Sequence, residues 1–269
     1  MILLECGKAS IKEKSISSRI AGGDEVTPHS IPWQVQVLKV LKVGCQNAQC
    51  GGSLINSRNV ITAAHCVVGD QVRVCLGNGA CEATSNPFET TNPECKRCLV
   101  ENLAWANPSK LAVVLGQHKT HCTAGHLETD GTIVPVCSIS AHPSILNIWK
   151  FYVDQKNPDR GDNDFAILWL TNKVTFNDKI SPICLPTPNM ADGYLRGKIL
   201  TTSGWGLGSV KNGRHVLTAT KLFGVSNDIC AKANLENSPR PIPNLTTNML
   251  CAGQPNDKKT TCPGDSGGI

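Results

Sequence analysis

The sequence predicts an all-β fold, and three observations carry that prediction. Short apolar, β-prone runs of strand length recur at residues 33–43, 50–54, 60–64, 111–116 and 164–170. The stretches between them are loop-like, with Asn, Pro and Thr crowded into 67–110 and a Gly-Trp-Gly turn closing the run at 195–206. Hydrophobic residues make up 40% of the chain, enough for a packed core and too much for a disordered one.

In chain order, residues 1–19 are polar and without periodicity, and on their own read as a frayed tail. Val35, Val37, Val40 and Val43 alternate loosely and predict the first long strand. The runs at 50–54 and 60–64 predict two more, the second leading into Ala64-His65-Cys66. Residues 67–110 carry Cys75, Cys81, Cys95 and Cys98 in a loop composition, and strand character resumes at Leu111. Cys122 and Cys137 bracket a polar loop and are expected to pair. Phe165, Ala166, Ile167, Leu168, Trp169 and Leu170 predict a further buried strand.

The 269 residues suffice for one large core or two small ones. A net charge of +5, not gathered in one block, reads as solvated surface rather than a nucleic-acid footprint. Fourteen cysteines imply an oxidising compartment, so the protein is expected to be secreted. No stretch is long and apolar enough to span a bilayer, and Met1-Ile2-Leu3-Leu4 is too short for a signal peptide, so the N-terminus is expected to be incomplete.

The chemistry-bearing stretch is Gly264-Asp265-Ser266-Gly267-Gly268. A serine hydroxyl is a poor nucleophile until a base takes its proton, and glycines beside it let main-chain N–H groups converge on one point. His65 supplies an imidazole at the end of an apolar run, and Asp162 and Asp164 each supply a carboxylate before another. Serine nucleophilic catalysis needs that trio, the acid holding the imidazole's tautomer.

With these in place the chain resembles the chymotrypsin/trypsin-like serine endopeptidases. The matching stretches are Arg19-Ile20-Ala21-Gly22-Gly23, Trp33-Gln34-Val35, Cys50-Gly51-Gly52-Ser53-Leu54-Ile55, Ala63-Ala64-His65-Cys66, Asp162-Asn163-Asp164, Ile183-Cys184-Leu185-Pro186, Ser203-Gly204-Trp205-Gly206, Met249-Leu250-Cys251-Ala252-Gly253 and the serine run, in the family's order. The resemblance implies two six-stranded antiparallel Greek-key barrels with the active site between them. It implies that His65 is general base and then acid, that Ser266 is the nucleophile, and that the N–H groups of Gly264 and Ser266 form the oxyanion hole. Asp164 is preferred over Asp162 as the orienting acid, because the family's acid directly precedes the apolar strand. No cofactor and no metal are expected.

The resemblance further implies that residues 1–19 are an activation segment, cut after Arg19 by an activating protease, and that 20–269 are the peptidase domain. The freed amine of Ile20 would pair with Asp265 and order the serine loop. The implied bridges are Cys50–Cys66, Cys6–Cys184 and Cys230–Cys251, the second keeping the cut segment attached. The expected partners are a protein or peptide substrate, the activating protease and protease inhibitors, with no nucleic acid and no membrane segment. Asn244-Leu245-Thr246 offers one glycosylation sequon.

Several features depart from the family. His65 and Asp164 lie 99 residues apart, an unusually long separation, so 67–110 is expected to be a cysteine-rich insertion stapled by disulfides; Cys95-x-x-Cys98 as half a zinc site is the lesser reading. Thr260 stands six residues before Ser266, the position that the resemblance assigns to the base of the primary specificity pocket, and there implies cleavage after an uncharged residue, with Asp257 close by. Gln117, His118, Glu128 and Asp130 are too thin an oxygen set to expect calcium. The remaining histidines (His29, His121, His126, His142 and His215) show no ligand spacing. The family continues past the serine run, so the second barrel is expected to be incomplete and the chain a fragment. The alternative function is a catalytically silent homologue acting as a binding module.

Overall fold

The computed structural model describes residues 6–14, 23–41, 44–45, 50–67, 72–75, 81–84, 108, 111–123, 126–142, 162–187, 195–211, 214–237, 245–253, 261 and 264–268. The first part of the chain forms β1 (Asp24–Glu25), β2 (Gln34–Leu41), β3 (Gly44–Cys45), β4 (Cys50–Leu54), β5 (Asn59–Thr62), β6 (Val72–Cys75), β7 (Cys81–Thr84) and β8 (Leu111–Leu115). Then come β9 (Lys119–Thr123), β10 (His126–Thr129), β11 (Thr132–Ala141) and β12 (Ala166–Leu170). The last part holds β13 (Ile199–Gly204), β14 (Val210–Lys211), β15 (Arg214–Val216), β16 (Thr218–Val225), helix α1 (Asn227–Asn237) and β17 (Cys251–Gly253). The fold is all-β, as the strand pattern predicts.

Six strands close on themselves. β2 pairs with β4, β4 with β5, β5 with β12, β12 with β11, β11 with β8, and β8 returns to β2, all antiparallel. Closure leaves no strand edge in the ring. Period-two alternation fills its interior: Ala166, Leu168 and Leu170 of β12 are fully buried while Trp169 faces out. They meet Val35, Val37, Leu54, Val60, Val113, Leu115, Val134 and Val136 in one core. Each such Val or Leu contributes about 1.5–3 kcal/mol by leaving water. The β4–β5 turn is set by Asn56, whose Oδ1 accepts the N–H groups of Arg58 at 2.8 Å and Asn59 at 2.9 Å.

The second half is organised on β16. β13 runs along one side in register from Ile199↔Phe223 to Gly204↔Thr218, while β1 and β17 pair with opposite ends of the other side. Val26, Trp205, Leu217 and Ala219 form its core. Among the described residues this sheet is open rather than a barrel. A third sheet, ordered β10-β9-β15-β14, spans the two halves. There the His118 carbonyl accepts both the Trp205 indole N–H at 3.1 Å and the Leu217 main-chain N–H at 2.9 Å.

The structure differs from the sequence expectations in four places. Residues 6–14 are docked, not frayed. Cys6 is bridged to Cys184, Gly7 N donates to the Pro182 carbonyl at 2.8 Å, and the Glu13 carboxylate accepts from Thr27 N, Thr27 Oγ1 and Ser30 Oγ. Within the stretch expected to be a loop, β6 and β7 form a hairpin with Val72 opposite Thr84 and Cys75 opposite Cys81; the alternation of Val72 and Val74 is the signal for it. Cys137 is an exposed free thiol and is not bridged to Cys122. The reason is topological: β11 lies in the barrel and β9 in the bridging sheet, and Cys137 sits at a bulge facing out, its thiol 3.3 Å from the Trp169 carbonyl. Helix α1 has no counterpart in the sequence reading, because it carries no apolar stripe. It is held instead by the Cys230–Cys251 bridge and by Asp228 in its first turn.

Candidate active site

His65 lies in a single 3-10 turn, Ala64–Val67, that follows β5 directly. Ala64, Cys66 and Val67 are buried in the barrel core, which pins the turn and leaves His65 half-buried at the rim. The Cys50–Cys66 disulfide ties the turn to β4. Asp164 arrives by strand register. The pairing Ala166↔Thr62 sets the start of β12 beside the end of β5, so a residue just ahead of Ala166 meets one just past Thr62.

The contact made there is double. Asp164 Oδ2 lies 2.6 Å from His65 Nδ1, and Oδ1 accepts the His65 main-chain N–H at 2.9 Å. The carboxylate therefore fixes both ring and backbone, with each side chain only 26% exposed. A proton held on Nδ1 by the carboxylate leaves Nε2 as the basic nitrogen. Asp162 is turned the other way. Its Oδ1 accepts from Thr246 Oγ1 at 2.8 Å and from Asn248 Nδ2 at 3.2 Å. Between the two acids Asn163 takes a left-handed φ of 58°.

Ser266 is placed by glycine contacts. Gly51 N donates to the Ser266 carbonyl at 2.7 Å, which docks the serine loop on β4. A Cβ on Gly51 would stand 2.6 Å from Gly268 Cα, so only glycines allow the approach. Gly264 and Gly267 have φ of 100° and 75°, the region where glycine has no steric penalty. Cys66 Sγ lies 3.7 Å from both His65 Nε2 and the Ser266 carbonyl, so ring edge and serine loop converge on one sulfur. Asp265 is half-buried against the Gly204-Trp205-Gly206 turn, and its Oδ1 accepts the Gly206 N–H at 2.7 Å.

The arrangement offers a carboxylate-oriented imidazole and a glycine-shaped serine loop, whose ring nitrogen and carbonyl each lie 3.7 Å from the Cys66 sulfur. Arg19, Ile20, Asn244, Thr260, Cys95, Cys98 and Asp257 lie outside the described residues. Cys50, His65 and Cys66 are the one cluster of metal-ligating types among the described residues, and both sulfurs are spent in a disulfide. The carboxylates weighed for calcium are engaged elsewhere: Asp130 Oδ1 accepts the N–H groups of His118 and Lys119, and Glu128 lies 3.2 Å from Arg214. Gln117 bridges Gln36 at 3.0 Å and Thr129 at 2.7 Å. Two contributions to the site escaped sequence reasoning. Gln34 accepts the Ser203 hydroxyl at 2.7 Å across the two halves, and Thr62 Oγ1 donates to the Gly51 carbonyl at 2.7 Å under the serine loop. Gln34 lies in the Trp33-Gln34-Val35 stretch and Thr62 in the histidine run, but nothing local shows what either side chain bonds.

The chain matches the family model described as Trypsin over residues 20–93 and 105–268. It is 30% identical over 258 residues to the clotting factor G beta subunit of Tachypleus tridentatus, covering 95% of this chain and 66% of that protein. It is 29% identical over 267 residues to the serine protease filzig of Drosophila melanogaster, covering 98% of this chain and 12% of that protein. The chain thus spans only part of the length of these curated relatives.

Proposed function

The chain belongs to the trypsin family of serine proteases, and on that premise we propose that it is a secreted serine endopeptidase acting through Ser266, His65 and Asp164. The observation that carries this reading is the paired contact of Asp164 with the ring and backbone of His65. In the proposed cycle His65 Nε2 takes the Ser266 hydroxyl proton as Oγ attacks the scissile carbonyl. The oxyanion is stabilised by the N–H groups of Gly264 and Ser266. His65 then gives the proton to the leaving amine, and water, deprotonated by the same ring, hydrolyses the acyl-enzyme. Each oxyanion donor accounts for on the order of a hundredfold or more in rate.

Residues 1–19 are the activation segment and 20–269 the peptidase domain, with a cysteine-rich insertion at about 67–110. Cleavage after Arg19 frees the Ile20 amine to pair with Asp265, whose place under the serine loop suits an ordering role. Thr260 makes the pocket base uncharged, so cleavage follows an apolar or small residue. Asn244 carries a glycan, as its sequon allows. The substrate is a protein or peptide.

The test is a fluorophosphonate probe on the chain before and after cleavage behind Arg19. Labelling that grows on cleavage and disappears in Ser266→Ala supports the reading. Folded, cleaved protein that takes no label overturns it in favour of a silent binding module, and equal labelling of both forms removes the activation step.

A further inference from the structure

The two acids flanking Asn163 face opposite ways, and the function proposed above uses only one of them. Asp162 joins segments far apart in sequence. It accepts from Thr246 Oγ1 at 2.8 Å and Asn248 Nδ2 at 3.2 Å, and Asn163 N donates to the same Oδ1 at 3.1 Å. Its partners are themselves anchored. Asn227 at the start of α1 donates from Nδ2 to the carbonyls of Thr246 at 3.0 Å and Met249 at 3.1 Å. Helix α1 is in turn bridged to β17 through Cys230–Cys251, and β17 pairs with β16. An unbroken series of bonds therefore runs from the second-half sheet to Asp162.

From Asp162 the series continues to His65. Asn163, at φ 58°, reverses the side-chain direction, and its carbonyl accepts the Phe165 N–H at 2.7 Å. That leaves Asp164 between two fixed points, the bonded Asp162 and the first strand residues of β12. We propose that Asp162 is a positioning residue: by holding Thr246 and Asn248 it locks the acid-bearing loop to the second half and sets where Asp164 holds the His65 ring. The inference rests on the enzyme reading for its kinetic consequence but not for its geometry. Its chemistry is acceptance at Oδ1, where three donors converge, while Oδ2 meets only Asn248 Nδ2 at a long 3.4 Å, so the charge of Asp162 is dispensable and the Oδ1 oxygen is not. Orientation errors of an ångström in such constellations cost up to about a hundredfold in rate.

The test compares Asp162→Ala, Asp162→Asn and the pair Thr246→Val with Asn248→Ala. All are made with Asn244→Gln, so that loss of the sequon is not a variable. The first readout is the low-field proton resonance of His65 Nδ1–H bonded to Asp164, which needs no turnover. The second is the split of kcat from KM on an ester substrate. Asp162→Ala and the Thr246/Asn248 pair are expected to shift or broaden the resonance and lower kcat about tenfold, with KM little changed. Asp162→Asn is expected to keep both near the parent. An unmoved resonance in the Thr246/Asn248 pair, which leaves the acid loop's sequence intact, overturns the proposal even if Asp162→Ala fails to fold. So does an Asp162→Asn variant as altered as Asp162→Ala. Should the parent take no fluorophosphonate label, the enzyme reading fails while the resonance still decides this one.

Discussion

Asp164 holds His65 at two points, the ring nitrogen at 2.6 Å and the main-chain N–H at 2.9 Å. The two bonds use different oxygens of one carboxylate, so ring rotation and turn position are set together. Changing the acid should therefore separate the two roles. Asp164→Asn is nearly isosteric, and its amide oxygen still accepts one N–H. The amide NH₂ then faces Nδ1 and forces the proton onto Nε2, the wrong tautomer for a base. In the chain cut after Arg19, kcat/KM at neutral pH should fall by about four orders of magnitude, with the melting temperature little changed. Kinetics and a thermal melt on the same sample check this.

The serine loop should tolerate no side chain at Gly267. A Cβ there would collide with Thr62 Oγ1 and stand 2.7 Å from Ala63 N and the Gly51 carbonyl, all part of the histidine strand or its neighbour. Gly267→Ala is expected to destabilise by more than about 1 kcal/mol and to abolish labelling of Ser266. Gly197→Ala is the control: its φ of 70° is similar, but nothing lies within 4 Å of the added methyl. Denaturant titrations of both variants isolate the cost of the contact from that of the backbone conformation.

Stability should rise with pH across the mildly acid range. Burial first, then Lys179, holds the His29 pKa below 6.5, and its buried Nδ1 has no hydrogen-bond partner. The fold therefore favours neutral His29. As pH drops below 6.5 the unfolded chain takes up the proton first, and stability falls. Glu25 acts further down. The His118 hydrogen bond at 3.1 Å, then Lys211, keep its carboxyl below 4.5, so its contribution is present above that pH and lost as pH falls through the folded value. His29→Asn, which suits the local φ of 63°, should flatten the slope just below pH 6.5, and Glu25→Gln the slope below 4.5. Melting temperatures from pH 7.5 down to about pH 2.5 would show both.

The Cys6–Cys184 bridge links the first docked segment to the stretch between the halves. After cleavage behind Arg19, the parent should run as one species on a non-reducing gel and as two after reduction. Cys6→Ser should release the short N-terminal piece in denaturant without reductant. A parent that sheds the piece unreduced would contradict the bridge.

The parts of the fold readable in the sequence are those written into neighbouring residues. The strands at 34–41, 50–54, 59–62, 111–115 and 166–170 follow from short apolar, β-prone runs, the first of them loosely alternating, and the 264–268 loop from its glycines. His65 and both acids stood out for the same reason: each abuts an apolar run. Helix α1 did not, because an element held by a disulfide and side-chain bonds needs no apolar stripe.

The sequence by itself determined the all-β class, the candidate site side chains and the family to which they point. Only the tertiary structure decided that Asp164 and not Asp162 faces His65, that Cys137 stays unpaired, and that the two halves meet through His118, Gln34 and Asp162. The physical reason is range. Periodicity and turn chemistry act over a few residues, whereas the direction of a carboxylate 99 positions from its partner is set by strand register and by a left-handed turn at Asn163, which exist only once the barrel has closed.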